Sequence, residues 1–343
     1  MIDSDWTRGC GGGIYRADLW FGGLVFTKIL VPLDGSQLAE YALRHAVHLA
    51  QIFHARLVLL QVLEPSADMD GGKLIDPLSW QIQKAEADVY LRGLETMLAE
   101  DGLDVEYQIL EGRAPEAIVQ FAQNSAVDLV VLCSHGKSGL SRWDVSSVVS
   151  KVAEKIYLPL LVVRAYLALD DPAGVVRYEK ILLPFDLSKR AECSLPVAIS
   201  IAEADESEVL LAHVLRRPEV MPSIPESNEL NRLADEFAAA SGSAYTAYLE
   251  EVTGRIPVKS SARLLQNDSI PRAIHELVEQ EGADLLVFCA HGQSGQAEWP
   301  YGSVSLNYLE HGSRHVLILQ DIPHTLVRPT RVELAAARYG SRG

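Results

Sequence analysis

At 343 residues, with 48% hydrophobic and 22% charged content, the chain is too long for one small core and suits two globular domains of ordinary size. Its 46 acidic against 30 basic residues give a formal net charge of −16, a field that repels polyanions and argues against nucleic acid or an anionic membrane as the main partner. No apolar run approaches the roughly 18 residues that a transmembrane helix needs, and Asp3 and Asp5 stand where a signal peptide would carry positive charge. A soluble, cytoplasmic chain is therefore expected.

Residues 1–26 read as an N-terminal arm with a glycine run at Gly11–Gly13; the segment LWFGGLVF fits either a free arm or a docked one. KILVPLD, Lys28–Asp34, is the first buried strand, and Ser36 behind it is a candidate N-cap for the helical pattern SQLAEYALRHAVHLAQIF. A second strand, RLVLLQVLEP, ends at Pro65 and is followed by the long helical pattern LSWQIQKAEADVYLRGLETMLAED. EGRAPEAI places Pro115 in the first turn of a third helix. VDLVVLCSHG is a strand running into a glycine-bearing loop, CSHGKSGLSRWDVSS, Cys133–Ser147. LPLLVVR at 158–164 closes the unit, and a linker over 166–177 is broken by Asp-Asp-Pro and Ala-Gly.

The chain then repeats itself. KILLPFD, Lys180–Asp186, follows KILVPLD at an offset of 152, as Val214 follows Val62. Pro271 follows Pro115 at 156, and ADLLVFCAHG follows VDLVVLCSHG at the same offset. The four-residue change is expected inside the long helix, where about one turn would fit. Ser188 is the second candidate N-cap, and RHVLILQD at 314–321 is the closing strand. Two homologous units are therefore expected at 27–165 and 178–322, with a frayed basic, alanine-rich tail at 323–343. Strand–helix alternation means a parallel sheet covered on both faces. The two closing strands are expected to pair within the chain and cover each other's edges, making a pseudo-dimer, with a further homodimer open through the arms.

In such a sheet a ligand sits beyond the carboxyl ends of the strands where their order reverses. Asp34 or Asp186, the end of the second strand, and the glycine loop leading into a helix all converge there. Glycine lets backbone N–H groups approach an anion, and a helix N-terminus adds partial positive charge. A carboxylate opposite could accept from an amine or a ribose hydroxyl. The set reads as a nucleotide pocket, against the simpler reading of a tight turn. Neither a P-loop nor the dinucleotide fingerprint is present.

Taken together the repeated motifs resemble the universal stress protein family, whose signature is G-x2-G-x9-G-[ST]. The second unit carries it as Cys289-x2-Gly292, nine residues, then Gly302-Ser303; the first as Cys133-x2-Gly136, nine residues, then Ser146-Ser147. The P-x-D after each first strand (Pro32 to Asp34, Pro184 to Asp186) and the [HQ]-V at Val62 and Val214 fit as well. The resemblance implies two tandem doubly wound, five-stranded, Rossmann-like α/β domains in a family where some members bind ATP and others do not. Carried over, Pro32, Asp34, Val62 and Cys133, or Pro184, Asp186, Val214 and Cys289, would meet adenine and ribose. Gly136, Ser146, Ser147 and Val148, or Gly292, Gly302, Ser303 and Val304, would meet phosphate.

Two departures separate the units. Cysteine replaces the first signature glycine in both, which is tolerable only if its φ is negative. Ser146 replaces the third in the first unit, where a Cβ would crowd a phosphate. The second unit is thus the better expected site, although Phe185 could fill part of its base pocket.

Other residues invite sharper readings than they support. His135 and His291 are expected to stabilise the loops rather than catalyse, and Trp143 and Trp299 to pack beneath them. Ser147 and Ser303 are expected to cap a helix or donate to phosphate, not to act as nucleophiles. His45 and His48 lack a third ligand and read as surface; Arg113 faces phosphate or solvent. Cys10, Cys133, Cys193 and Cys289 show no CxxC or zinc spacing and read as free thiols. The leading expectation is an ATP-binding stress regulator with at most slow hydrolysis, Mg²⁺ being left open. The alternative is an interaction scaffold without nucleotide.

Overall fold

A computed structural model describes residues 25–64, 77–136, 145–169, 175–188, 190–216, 228–292 and 299–321. The motifs above map onto it as ten strands and eight α-helices among those residues. The first half runs β1 (Lys28–Pro32), α1 (Gln37–Phe53), β2 (Arg56–Leu63), α2 (Pro77–Glu100), β3 (Val105–Glu111), α3 (Ala114–Asn124), β4 (Leu129–Cys133), α4 (Ser147–Ala153) and β5 (Leu160–Val163). The second runs β6 (Lys180–Pro184), α5 (Leu195–Asp205), β7 (Glu208–Leu215), α6 (Asn228–Gly254), β8 (Ser260–Gln266), α7 (Ile270–Glu281), β9 (Leu285–Cys289), α8 (Ser303–His311) and β10 (His315–Leu319).

All ten strands form one sheet, in the order β3-β2-β1-β4-β5-β10-β9-β6-β7-β8. Pairing is parallel within each half and antiparallel only at the seam, where Val316 faces Val162 and Ile318 faces Leu160. The closing strands therefore pair with each other as expected, and each half shows the doubly wound order. The central strands are apolar on both faces because helices cover both: Ile29, Leu30, Leu160, Val162, Val316 and Ile318 are fully buried.

Several starts and stops follow from single residues. Ser36 caps α1 by accepting from the Ala39 N–H at 3.1 Å. Pro115 and Pro271 lie in the first turns of α3 and α7. The second half has no counterpart of the full-length α1, because Pro196 cannot continue a helix through its own position. A 3-10 turn at Ala191–Ser194 fills the gap, and α5 starts only at Leu195. Ser188 accordingly accepts from Ala191 N–H at 3.2 Å ahead of that turn, not ahead of an α-helix.

The offset change is distributed differently from expectation. Val105 and Ser260 begin matching strands 155 residues apart, while Ala114 and Ile270 begin matching helices 156 apart. Three of the four extra residues thus lie before β8 and one lies in the turn after it. Phe26, assigned by sequence to the arm, is buried and packs edge-on against Phe53 at 5.0 Å. Residues 1–24, 170–174 of the linker and 322–343 lie outside the described residues.

The seam holds a buried polar cluster that the sequence reading placed on the surface. His45 is 3% exposed, its Nδ1 2.8 Å from the Tyr178 hydroxyl and its ring 4.3 Å from that of His315. His48 is half-buried, 2.9 Å from the Asp205 carboxylate, which also accepts from the Tyr178 N–H. The reason is that this face of α1 packs on α5 and on the start of the second half, so a helix that would be outermost in one unit becomes interior in two.

Candidate functional site

The strand order reverses beside β1 and β6, each flanked by the second and fourth strands of its half. The β6–β9 ladder is registered only at Ile181↔Leu285 and Leu182↔Leu286, and β1–β4 only at Ile29↔Leu129 and Leu30↔Val130. No β1–β4 or β6–β9 pairing is registered beyond those pairs, and Pro184, Asp186 and Cys289, or Pro32, Asp34 and Cys133, stand at this carboxyl edge, where open parallel sheets bind ligands. Val62 and Val214 lie at the same edge on β2 and β7; Val214 is buried and Val62 half-buried.

The two ends of each glycine loop are tied together. Gly302 N–H donates to the Ala290 carbonyl at 2.7 Å, and Ser146 N–H to the Ser134 carbonyl at 2.7 Å. This brings Gly292 and Gly136 beside the helix starts. Each also sits against the aspartate of the first strand: a Cβ built on Gly292 would fall on the Asp186 carboxylate, 3.1 Å from Cγ, and one on Gly136 would do the same to Asp34. The second signature glycine therefore keeps room for a carboxylate. Oδ1 of Asp186 accepts from Ser188 N–H at 3.0 Å and that of Asp34 from Ser36 N–H at 3.0 Å, so each aspartate is oriented by its own loop.

Cysteine is accommodated in both signatures because neither Cys133 nor Cys289 has a positive φ; each simply ends its strand. Ser146 takes an N-cap conformation close to that of Gly302, with φ −64° against −73°. Its hydroxyl accepts from Val149 N–H at 3.3 Å and so occupies a donor at the start of α4. No side chain caps α8 at Gly302. Ser147 and Ser303 are each the first residue of their helix and exposed, so the capping expected of Ser147 falls to Ser146. Val148 and Val304 are half-buried in the same turns.

Phe185 belongs to the apolar core and is 3% exposed. Trp299 is 66% exposed, which corrects the expectation that it packs beneath the loop. Its carbonyl, not its ring, is the inward contact. That carbonyl accepts from His291 Nε2 at 2.8 Å, while Nδ1 meets the Asp321 carboxylate at 2.7 Å. Burial opposes charge on this ring, but the two acceptors outweigh it and the His291 pKa is raised. His135 is buried with Nδ1 3.1 Å from Ser134 Oγ. His291 thus ties the chain at Trp299 to Asp321, and His135 bonds the adjacent Ser134. Burial pushes the Cys133 thiol up to about 12. Arg113 is exposed at the start of α3. Loop residues 137–144, including Trp143, and 293–298 lie outside the described residues. Among the described residues, no group of three metal-ligating side chains forms, and no helix is long and apolar enough to cross a membrane.

A tandem Rossmann-like α/β protein, with an aspartate, a glycine loop and a helix start gathered at the carboxyl edge of each half, is what this arrangement defines. The chain belongs to the universal stress protein family, whose model matches residues 26–164 and 177–320. Universal stress protein MJ0531 of Methanocaldococcus jannaschii is 31% identical over 144 residues, covering 41% of this chain and 83% of its own length. Among solved structures, the functionally unknown protein PA1789 from Pseudomonas aeruginosa PAO1 is 15% identical with a TM-score of 0.65, covering 94% of this chain and 100% of that one. A universal stress protein from Archaeoglobus fulgidus DSM 4304 is 16% identical with a TM-score of 0.58, covering 86% and 98%. Both of these likenesses bear on the fold.

Proposed function

We propose that the second half binds an adenine nucleotide, ATP being the expected ligand, and that the chain acts as a cytoplasmic stress-response regulator instead of a turnover enzyme. The observation that carries this is the start of α8 at Gly302, left without a side-chain cap, together with the Asp186–Gly292 contact at the same edge of the sheet. Donors at a helix start suit phosphate, and an oriented carboxylate suits a ribose hydroxyl or an amine. In this reading Pro184, Asp186, Val214 and Cys289 meet the nucleoside, and Gly292, Gly302, Ser303 and Val304 the phosphates. No residue is assigned to Mg²⁺. The first half is the weaker site because Ser146 already uses a donor of α4. The reading includes at most slow turnover: both ring nitrogens of His291 are engaged, by the Asp321 carboxylate and the Trp299 carbonyl, so this ring is not assigned the role of a base.

Calorimetric titration with ATP and AMP, with and without Mg²⁺, tests the reading. Wild type is expected to show one saturable site, weakened at least about tenfold, or about 1.4 kcal/mol, in Gly292→Ala, whose Cβ displaces the Asp186 carboxylate. Gly302→Ser copies the cap of the first half and is expected to weaken the same site. No heat at millimolar nucleotide, with the fold intact by circular dichroism, would favour an interaction scaffold. That second reading has its own support in the exposed Leu78, Ile82 and Val89 of α2 and Leu233 and Phe237 of α6.

A further inference from the structure

The 3-10 turn forced by Pro196 has a chemical consequence. It sets Cys193 against the end of β9, with its Sγ 3.1 Å from Sγ of Cys289, a residue 96 positions away in sequence. Both cysteines are half-buried, and neither is in a disulfide. The matching positions in the first half are Tyr41 and Cys133, so the pair exists in the second half alone. It is not a metal site, since no third ligand joins it among the described residues.

We propose that Cys193 and Cys289 are a reversible dithiol–disulfide pair, oxidised by a low-molecular-weight disulfide of the glutathione type. In the first step one protein thiolate attacks a sulfur of the reagent; the reagent's S–S bond breaks, a mixed disulfide forms, and one small thiol leaves with a proton. In the second step the other protein thiolate attacks the protein-bound sulfur, the Cys193–Cys289 bond forms, and the second small thiol leaves with the second proton. One reagent disulfide is reduced to two thiols for each protein dithiol oxidised. The sulfurs need to close from 3.1 Å to about 2.05 Å, a shift within the range of side-chain rotation.

The bond would tie the segment after Asp186 to the strand that leads into Gly292. Oxidation therefore fixes these two segments to each other. The proposal concerns the thiols alone and stands whether or not this edge of the sheet takes nucleotide.

The test uses the full chain carrying Cys10→Ser, reduced, desalted and titrated with oxidised glutathione, and read by intact mass and peptide mapping. The expected product has lost two hydrogens, carries a 193–289 cross-link and no glutathione, and reverts with dithiothreitol. Hydrogen exchange of amides 190–194 and 289–292 is expected to slow in that product. Cys193→Ser should stop at one glutathione on Cys289, which shows that the partner thiol completes the reaction. Four results overturn the proposal: a cross-link through Cys133, a covalent dimer, a stable glutathione adduct on the chain that retains both cysteines, or no reaction where the urea-unfolded chain reacts.

Discussion

Arg164→Ala is expected to lower the stability of the chain by about 3–5 kcal/mol, read by urea unfolding at neutral pH. Arg164 closes the last strand of the first half, is 2% exposed, and reaches into the second half. Its Nη2 donates to the Tyr308 and Leu309 carbonyls at 2.7 Å each, and its Nε to the Arg314 carbonyl at 3.3 Å. Those first two carbonyls belong to the last turn of α8, where the dipole favours a cation, and that of Tyr308 also accepts from the Gly312 N–H at 2.7 Å. Burial lowers the guanidinium pKa, so the charge depends on these acceptors for compensation. Truncation takes the side-chain donor from the Leu309 and Arg314 carbonyls and leaves a void at the seam. The matching position in the second half is Gln320, a neutral amide that donates to the Pro300 carbonyl at 2.8 Å. Gln320→Ala is therefore expected to cost only about 1 kcal/mol. Equal losses in the two variants would mean that the seam is not held by Arg164.

Acid should weaken the same seam. Burial, with help from His48 and Arg44, pushes the His45 pKa down from 6.5 to about 3, and burial lowers that of His315 well below the ordinary value. Both rings are neutral in the folded chain and take up protons more readily once it unfolds. Stability from keeping them neutral is fully present above about pH 6.5 and is lost as pH falls toward the folded values. His45 alone then costs about 2 kcal/mol at pH 5 and about 4–5 kcal/mol near pH 3. The surrounding groups do not reverse the sign: Arg164 and Arg314 face His315, Tyr178 faces His45, and Asp205 is already engaged by His48. Urea unfolding from pH 7.5 to pH 5 is expected to show this loss, with its slope reduced by about one proton in His45→Gln. An unchanged slope would assign the acid response to carboxylates elsewhere.

The sequence was most informative where local chemistry sets structure without help from tertiary contacts. The repeated K-I-L-x-P-x-D strands, Ser36 as a cap, and Pro115 and Pro271 in first turns are all decided within a few residues, and the structure has them. The site aspartates and glycines were legible for the same reason, since spacing brings them to one edge. What stayed hidden depends on partners far away in the chain. His45 looks like a polar residue on an amphipathic helix until α5 covers it. Trp299 looks like a packing residue, but the inward contact is its backbone carbonyl. The meeting of Cys193 with Cys289 required knowing that Pro196 would convert a helix into a 3-10 turn and carry that thiol to the neighbouring strand. The signal was present in the proline, though not in any cysteine spacing.

The sheet's middle is completed last. β10 is the final strand in chain order, yet it lies beside β5 at the centre of the sheet, with four strands beyond each of the pair. During synthesis the first half therefore presents β5 as an open apolar edge until the whole second half has emerged. Two neighbouring nascent chains offer each other the same edge, and an antiparallel pairing of β5 with β5 would copy the contact that β10 later makes. The cost of building a pseudo-dimer into one polypeptide is a long interval in which intermolecular pairing competes with the intramolecular partner. The seam's unlike residues favour the latter, because His45 meets the Tyr178 hydroxyl, and the matching position in the first half is Phe26, which has none.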